Sequence, residues 1–476
     1  MPDSIFTKGK SICFIITVAL IFPSCYRKIK SYGAFTFVPV ERKINPDDIA
    51  LPPGYKIEAI SSGLNYPTDI TFDDQNQIYV TESGYAYGEN FTTAKLLRIE
   101  KDGTSTPIVS DSSHMPWNGV MFFNGNFYIA EGGQRTGGSI LRISPEGKKS
   151  YLISGLPSLG DHQINGPYIF NNYIYFGIGT ATNSGIVGKD NFDFGWVKRF
   201  PQFHDIPCEN IEVSGKNYVT RNFWNREKQF VSTGPFSPFG TPTRGGQSIP
   251  GKIPCSGAVI KIPLQGGEPE LVAWGFRNPF GLTFHNNQLY VTDNGYDDRG
   301  SRPVWGSPDF LWKVEEKKWY GWPDYSAGRL LDPDKKILVK NPNDPPSPVA
   351  KLACHSSSCK FSFSGNEKFG YVNQAFIAQF GDMAPEVGKI YNHVGFKIVR
   401  VDVENGIITD FAVNKGKKNQ PASKANKGGL ERPVSAKFSP DGESLYIVDF
   451  GIMEVTKQGP AAKQNTGVIW KISRIQ

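Results

Sequence analysis

Cysteine is scarce in this 476-residue chain: there are six, and none sits in a C-x-x-C-H run, which excludes covalently attached c-type haem. Histidine is equally sparse, at six, so any histidine that does chemistry is one of very few. No dense Lys/Arg run interleaved with aromatics occurs. The net charge of +7 is scattered singly, which argues against nucleic acid as a partner. Beyond the N-terminus no apolar run is long enough to cross a bilayer, and long apolar stripes of period 3.6 are missing. What is plentiful is turn and strand material, with 51 Gly, 35 Pro and 13% aromatic residues.

That material is arranged as a repeat. A strand-like run centred on an aromatic residue is followed by a basic residue held between two apolar ones. The centres are Tyr79, Tyr128, Tyr175, Tyr290, Phe376 and Tyr446. Their partners are Leu97-Arg98-Ile99, Leu141-Arg142-Ile143, Ile260-Lys261-Ile262, Trp312-Lys313-Val314, Val399-Arg400-Val401 and Trp470-Lys471-Ile472. Six copies at an early spacing of 49 and 47 residues predict an all-β, six-bladed β-propeller. Blade three opens near Gly160 and closes only at Lys261, so residues 183–253, rich in Gly, Pro, Asn and aromatics, read as a long irregular insertion.

Lys8 and Lys10 followed by the apolar stretch Ile12 to Phe22 have the layout of an export signal, and Ser24-Cys25 resembles the lipobox of bacterial lipoproteins. The expectation is export to a bacterial cell envelope, with residues 1–25 as leader, Cys25 acylated as the only membrane attachment, residues 26–50 as a polar tether and 51–476 as propeller. In that oxidising setting Cys208, Cys255, Cys354 and Cys359 remain, an even number. Three connectivities are open, and local pairing gives Cys208–Cys255 and Cys354–Cys359. Cys354, His355 and Cys359 supply three zinc-type ligands without an evident fourth.

Candidate chemistry follows from phase. A Pro followed five residues later by an aromatic marks blade starts at Pro67, Pro279 and Pro433. Arg277-Asn278 and Arg432 lie just before two of these, and His162 lies at the matching phase of blade three. Loops leading into innermost strands open at one end of a propeller's axis, so these residues are expected to converge there. With no acidic neighbour in sequence, Arg277 reads as a binder of an anionic ligand. The other histidines read as structural. The tryptophans Trp305, Trp312, Trp319 and Trp322 read as blade packing, with one or two free to form a sugar-stacking platform.

Gly160-Asp161-His162-Gln163, Gly275-Phe276-Arg277-Asn278-Pro279-Phe280-Gly281-Leu282 and Thr292-Asp293-Asn294-Gly295 resemble landmarks of the glucose/sorbosone dehydrogenase family. So do Leu51-Pro52-Pro53-Gly54-Tyr55, Trp319-Tyr320-Gly321-Trp322-Pro323 and the run Gly395 to Val401. The family comprises six-bladed propellers that oxidise sugars with pyrroloquinoline quinone (PQQ) and calcium. The resemblance implies His162 as general base, Arg277, Asn278, Asn294 and Arg432 as PQQ contacts, and Gly295 and Tyr296 as calcium ligands through their carbonyls. Asp297 is a further candidate calcium ligand, or else a turn residue. A neutral imidazole suits removal of a sugar hydroxyl's proton, and arginines suit the three carboxylates of PQQ.

The chain departs from that pattern at four places. Thr180 stands where the family has an Asp that orients the histidine, Asn294 replaces a Gln, Val434 replaces a second arginine, and a blade-five lysine is missing near Gly381-Asp382. The expected function is therefore PQQ-dependent oxidation of a small-molecule sugar, with the electron acceptor unnamed. The alternatives are a non-catalytic carbohydrate-binding lipoprotein and a calcium-dependent sugar lactonase, the last using carboxylates such as Glu82, Glu131 and Asp293.

Overall fold

The six aromatic centres and their six basic partners prove to be cross-strand pairs. Tyr79 faces Arg98, Tyr128 faces Arg142 and Tyr175 faces Lys261. Tyr290 faces Lys313, Phe376 faces Arg400 and Tyr446 faces Lys471. Each pair joins the second strand of a blade to its third, and a ring opposite a long cationic stem is a favourable neighbour on a sheet face. The repeat is thus one register, used six times.

The computed structural model describes residues 41–222, 229–457 and 459–475. The leader, Cys25 and the first part of the tether lie outside them. The described chain is nearly all β and forms a six-bladed propeller. Its innermost strands, Pro67–Phe72, Trp117–Phe123, Ile164–Phe170, Pro279–His285, Ser358–Phe363 and Pro433–Phe438, pack side by side in sequence order, the last against the first. Each blade is a sheet of antiparallel strands running outward from the axis. In blades one to five all four strands run on in chain order. Blade six takes its outermost strand, Tyr55–Leu64, from the N-terminus, paired with Gly467–Arg474.

Apolar side chains fill the spaces between blades, as with Tyr175, Phe276, Leu282, Val291 and Trp312 between blades three and four. The axis itself is polar and filled. Lys360 of blade five reaches across to the Thr68 carbonyl of blade one at 3.0 Å, while Lys437 and Ser435 of blade six meet Asp69 at 3.5 and 2.8 Å.

The insertion in blade three has its own order. Two short helices, Lys189–Asp193 and Trp196–Arg199, pack Val187, Trp196, Val197 and Phe203 together. Two small ladders follow, Ile211–Val213 with Gln247–Ile249 and Tyr218–Arg221 with Phe230–Thr233. The Cys208–Cys255 disulfide closes its base.

Two expectations need correction. Cys354 and Cys359 are free thiols. Cys359 lies at the start of a buried blade-five strand with Sγ toward the Ser357 carbonyl at 3.1 Å, while Cys354 Sγ turns to the Gly306 carbonyl at 3.2 Å. The two sulfurs therefore face different loops. Residues 41–50 are not a free tether either. Arg42 is buried over Trp470, paired with Asp449 and bonded to the carbonyls of Thr466 and Gly429, and Ile49–Ala50 adds to the edge of blade five.

Candidate functional site

Within an antiparallel blade, the chain leading into the innermost strand and the end of the second strand lie at the same end. In blades four and six an aspartate ties the two together. Asp293 accepts from the backbone N–H groups of Arg277 and Asn278, and from Trp312 Nε1. Asp449 accepts from those of Glu431 and Arg432, and from Trp470 Nε1. Arg277 and Arg432 therefore lie at one mouth of the axis but one residue out of phase, Arg432 standing where blade four has Asn278 and Arg277 where blade six has Glu431, and His162 leads into blade three at that same end. Gly179 permits the approach: a Cβ there would lie 2.3 Å from His162 Cβ and 2.9 Å from Asn278 Oδ1.

His162 is buried, and its Nδ1 lies 2.7 Å from the Thr180 carbonyl. A carbonyl only accepts, so Nδ1 carries the hydrogen and Nε2 holds the lone pair. Burial, then the nearby charges of Arg277 and Arg299, holds the imidazole well below its ordinary pKa and so neutral at pH 7. The turn that presents Thr180 is braced from the insertion. Asp205 accepts from Ala181 N–H and from the Thr182 hydroxyl at 2.6 and 2.5 Å, and Thr180 Oγ1 bonds the Thr182 carbonyl at 2.6 Å.

The arginines are spent internally. Arg277, expected to be without an acidic neighbour, pairs with Asp297 at 2.6 Å and donates from Nε to Asn183 at 3.1 Å. The partner lies 20 residues on, across the loop after the second strand of blade four. Asp297 is also held by Arg299 at 3.0 Å and faces His355 at 3.6 Å. Despite burial, Arg277 and Arg299 hold its carboxyl well below the usual range. Arg299, which the sequence motifs did not mark, joins three elements: it bonds Asp161 beside His162, Asp190 of the insertion and Asp297.

Arg432 has no carboxylate partner among the described residues. Its donors go to the carbonyls of Phe380, Gly381, Asp382 and Met453 at 3.2–3.4 Å, and it lies between the rings of Phe380 and Phe396. Burial lowers its pKa to about 10.

The amides are likewise committed. Asn278 donates to Asn294 and accepts from Asn165, while Asn294 donates to the Ser358 carbonyl. Tyr87, from a blade-one loop, lies near Asp161 and Arg277. Its phenol is pushed up to about 12, chiefly by burial and then by Asp161.

Gly295 donates its N–H to Asp309 and the Tyr296 hydroxyl bonds the Tyr325 carbonyl. The carbonyls of Gly295 and Tyr296 accept no hydrogen bond from the described residues. Among the described residues no group of three or more His, Cys, Asp or Glu could hold a metal ion. Of the carboxylates considered for a lactonase, Asp293 serves the Arg277 loop, Glu82 accepts from Asn65 N–H, and Glu131 meets Tyr151, so they do not converge. Between Arg277, Asn294, Gly295 and Tyr296 there is space of about 10 Å³, enough for about one water.

Against solved structures the likeness spans the whole propeller. The PQQ domain of pyranose dehydrogenase from Coprinopsis cinerea superposes with a TM-score of 0.55 at 12% identity, covering 92% of this chain and 98% of that one. PQQ-bound aldose sugar dehydrogenase from Streptomyces coelicolor gives 0.51 at 13% identity, covering 89% and 99%. A calcium structure of a Trichoderma reesei AA12 carbohydrate-active enzyme gives 0.54 at 13%, covering 92% and 100%. The chain shares the six-bladed propeller fold of these proteins. No family model matches it. In sequence it is 26% identical over 269 residues to an uncharacterised protein of Borreliella burgdorferi, a match spanning 54% of this chain and 63% of that relative.

The residues that the resemblance would give to PQQ do not fit it as they stand. A tricyclic trianion needs free guanidinium donors. Here Arg277 is neutralised by Asp297, Arg432 is enclosed by main-chain carbonyls, and Asn278 is held by two other asparagines.

Proposed function

We propose that this chain is a carbohydrate-binding propeller that takes an uncharged sugar at the axial mouth, and that it works at the bacterial cell envelope, anchored through a lipid on Cys25. The observation that carries this reading is the Arg277–Asp297 pair at 2.6 Å. With the Arg277 charge balanced by Asp297 and the Arg432 donors given to carbonyls, the mouth favours directional hydrogen bonding over capture of an anion. Sugar hydroxyls donate and accept at once, and the neutral His162, with Nε2 making no bond to the described residues, is a suitable acceptor for one of them. The fold supports the choice of ligand, since the proteins that share it are named for action on pyranoses and aldoses.

A second reading has one observation in its favour. The uncommitted carbonyls of Gly295 and Tyr296 leave a place where a hard cation could be held, as calcium-dependent PQQ oxidation of a sugar would need, with Arg277, Asn278, Asn294 and Arg432 turned toward the cofactor. In that reading His162 takes the proton of the sugar hydroxyl.

One experiment separates the two. The full chain is titrated by calorimetry with aldoses, and separately with PQQ plus calcium, followed by an assay with an artificial electron acceptor. The expected result is saturable sugar binding without PQQ binding or turnover. Stoichiometric PQQ binding, with turnover lost in His162→Ala, would replace the first reading by the second.

A further inference from the structure

A cavity of about 460 Å³ opens between the loop after the second strand of blade four, through Trp305, and the corresponding loop of blade five, through Ala384, Pro385, Ile390 and Tyr391. We infer that this cavity is a separate carbohydrate subsite in which the Trp305 and Tyr391 rings grip a neutral pyranose. The inference rests on the sugar-binding reading above.

Large aromatic side chains left in water need a reason. Phe91 is covered by Arg135 and Phe194 by Arg299. Among the described residues Trp305 and Tyr391 meet no cation and no ring but each other: they are 55% and 92% exposed, with ring centroids 6.2 Å apart and planes at 89°. Perpendicular rings form two sides of a corner. The C–H face of a pyranose can lie on one ring while its edge meets the other, and its hydroxyls remain free to find polar partners. Lys389 and His393 supply these at the rim. His393 is oriented by Asp382, with Nδ1 to Oδ2 at 3.0 Å. The volume falls in the range of ordinary ligand pockets, roughly 300–1,000 Å³.

The corner is also preformed. Asp298 N–H bonds the Val387 carbonyl at 3.0 Å, and Gly388 packs so closely on Asp298 that a Cβ would lie 2.7 Å from its Cβ. Glu386 and Gly388 close turns onto Met383 and Pro385. The same two loops reach the axis, one through Asp297 to Arg277 and the other through the Asp382 carbonyl to Arg432. One oligosaccharide could therefore touch both places.

The test is calorimetry of the full chain with maltose, cellobiose and the corresponding methyl glucosides, comparing wild type with Trp305→Ala, Tyr391→Ala and His162→Ala. Loss of a stacking face should weaken binding by about tenfold or more, about 1.4 kcal/mol. The expected pattern is that loss in both aromatic variants, each with unchanged circular dichroism because both side chains are exposed, and a larger loss for disaccharides than for methyl glucosides. If sugars bind and only His162→Ala weakens them, the subsite is refuted while the sugar-binding reading stands. If no sugar binds the wild type, both fall.

Discussion

A histidine held by a carbonyl is oriented less firmly than one held by a carboxylate, and Thr180 offers His162 only the former. The compensation lies one step away in Asp205, which fixes the two residues after Thr180. Removing it strands the Ala181 N–H and the Thr182 hydroxyl in a buried place, so Asp205→Ala should cost about 1–3 kcal/mol for each unsatisfied group. It should also move the His162 imidazole resonances in NMR spectra. Asp205 has a pH signature of its own. Burial raises its pKa to about 7, above that of the unfolded chain. The folded state therefore holds the proton longer, and this group's contribution falls as pH rises from the ordinary carboxylate range toward about 7. Melting temperatures across that interval should decline less in Asp205→Asn than in wild type; parallel curves would refute the assignment. At Asp297 the expectation is two-sided. Asp297→Asn leaves Arg277 buried and unpaired, with a cost of about 3–5 kcal/mol in urea denaturation. If neutralisation is what keeps PQQ out, the variant should also bind PQQ more tightly than wild type.

At the scale of elements, the insertion hangs on one covalent clamp. Cys208 and Cys255 are 47 residues apart in sequence, and Asp205 stands three residues before the first of them. Replacing both by alanine should cost about 2–4 kcal/mol and expose residues 183–253 to proteolysis before the blades. In wild type, Cys354 should react with a thiol reagent in the native state. Cys359, buried and pushed up to about 12, should react only on unfolding. The blades were legible in the sequence because an aromatic opposite a cation is a local pattern copied six times. The site was legible in its location, because equal phase in different blades means one end of the axis. Its charge balance was not: Asp297 reaches Arg277, and Arg299 gathers Asp161 and Asp190, only after loops from different elements meet. The Cys354–Cys359 expectation failed for a related reason, since nearness in sequence says little about direction where one residue begins a strand and the other remains in the preceding loop.

For the whole molecule, the decisive element is the strand that carries no repeat motif. Tyr55–Leu64 belongs to blade six although it precedes blade one, so the ring is closed by hydrogen bonds between the two ends of the chain rather than by a covalent link. Its outward positions are exposed and its two fully buried apolar residues, Tyr55 and Leu64, sit at its ends, which left no alternating signal to mark it. Arg42 fastens the same closure from the axis side through Asp449 and Trp470. Burying Tyr55 and Leu64 contributes about 1.5–3 kcal/mol each, a large share of a typical net stability of about 5–15 kcal/mol. A chain beginning at Asn65 should therefore lose cooperative unfolding and expose the Gly467–Arg474 edge to aggregation. Adding residues 41–64 as a separate peptide should restore the melting transition to the shorter chain. A chain from Asn65 that unfolds cooperatively at the wild-type temperature would show that the ring does not depend on this strand.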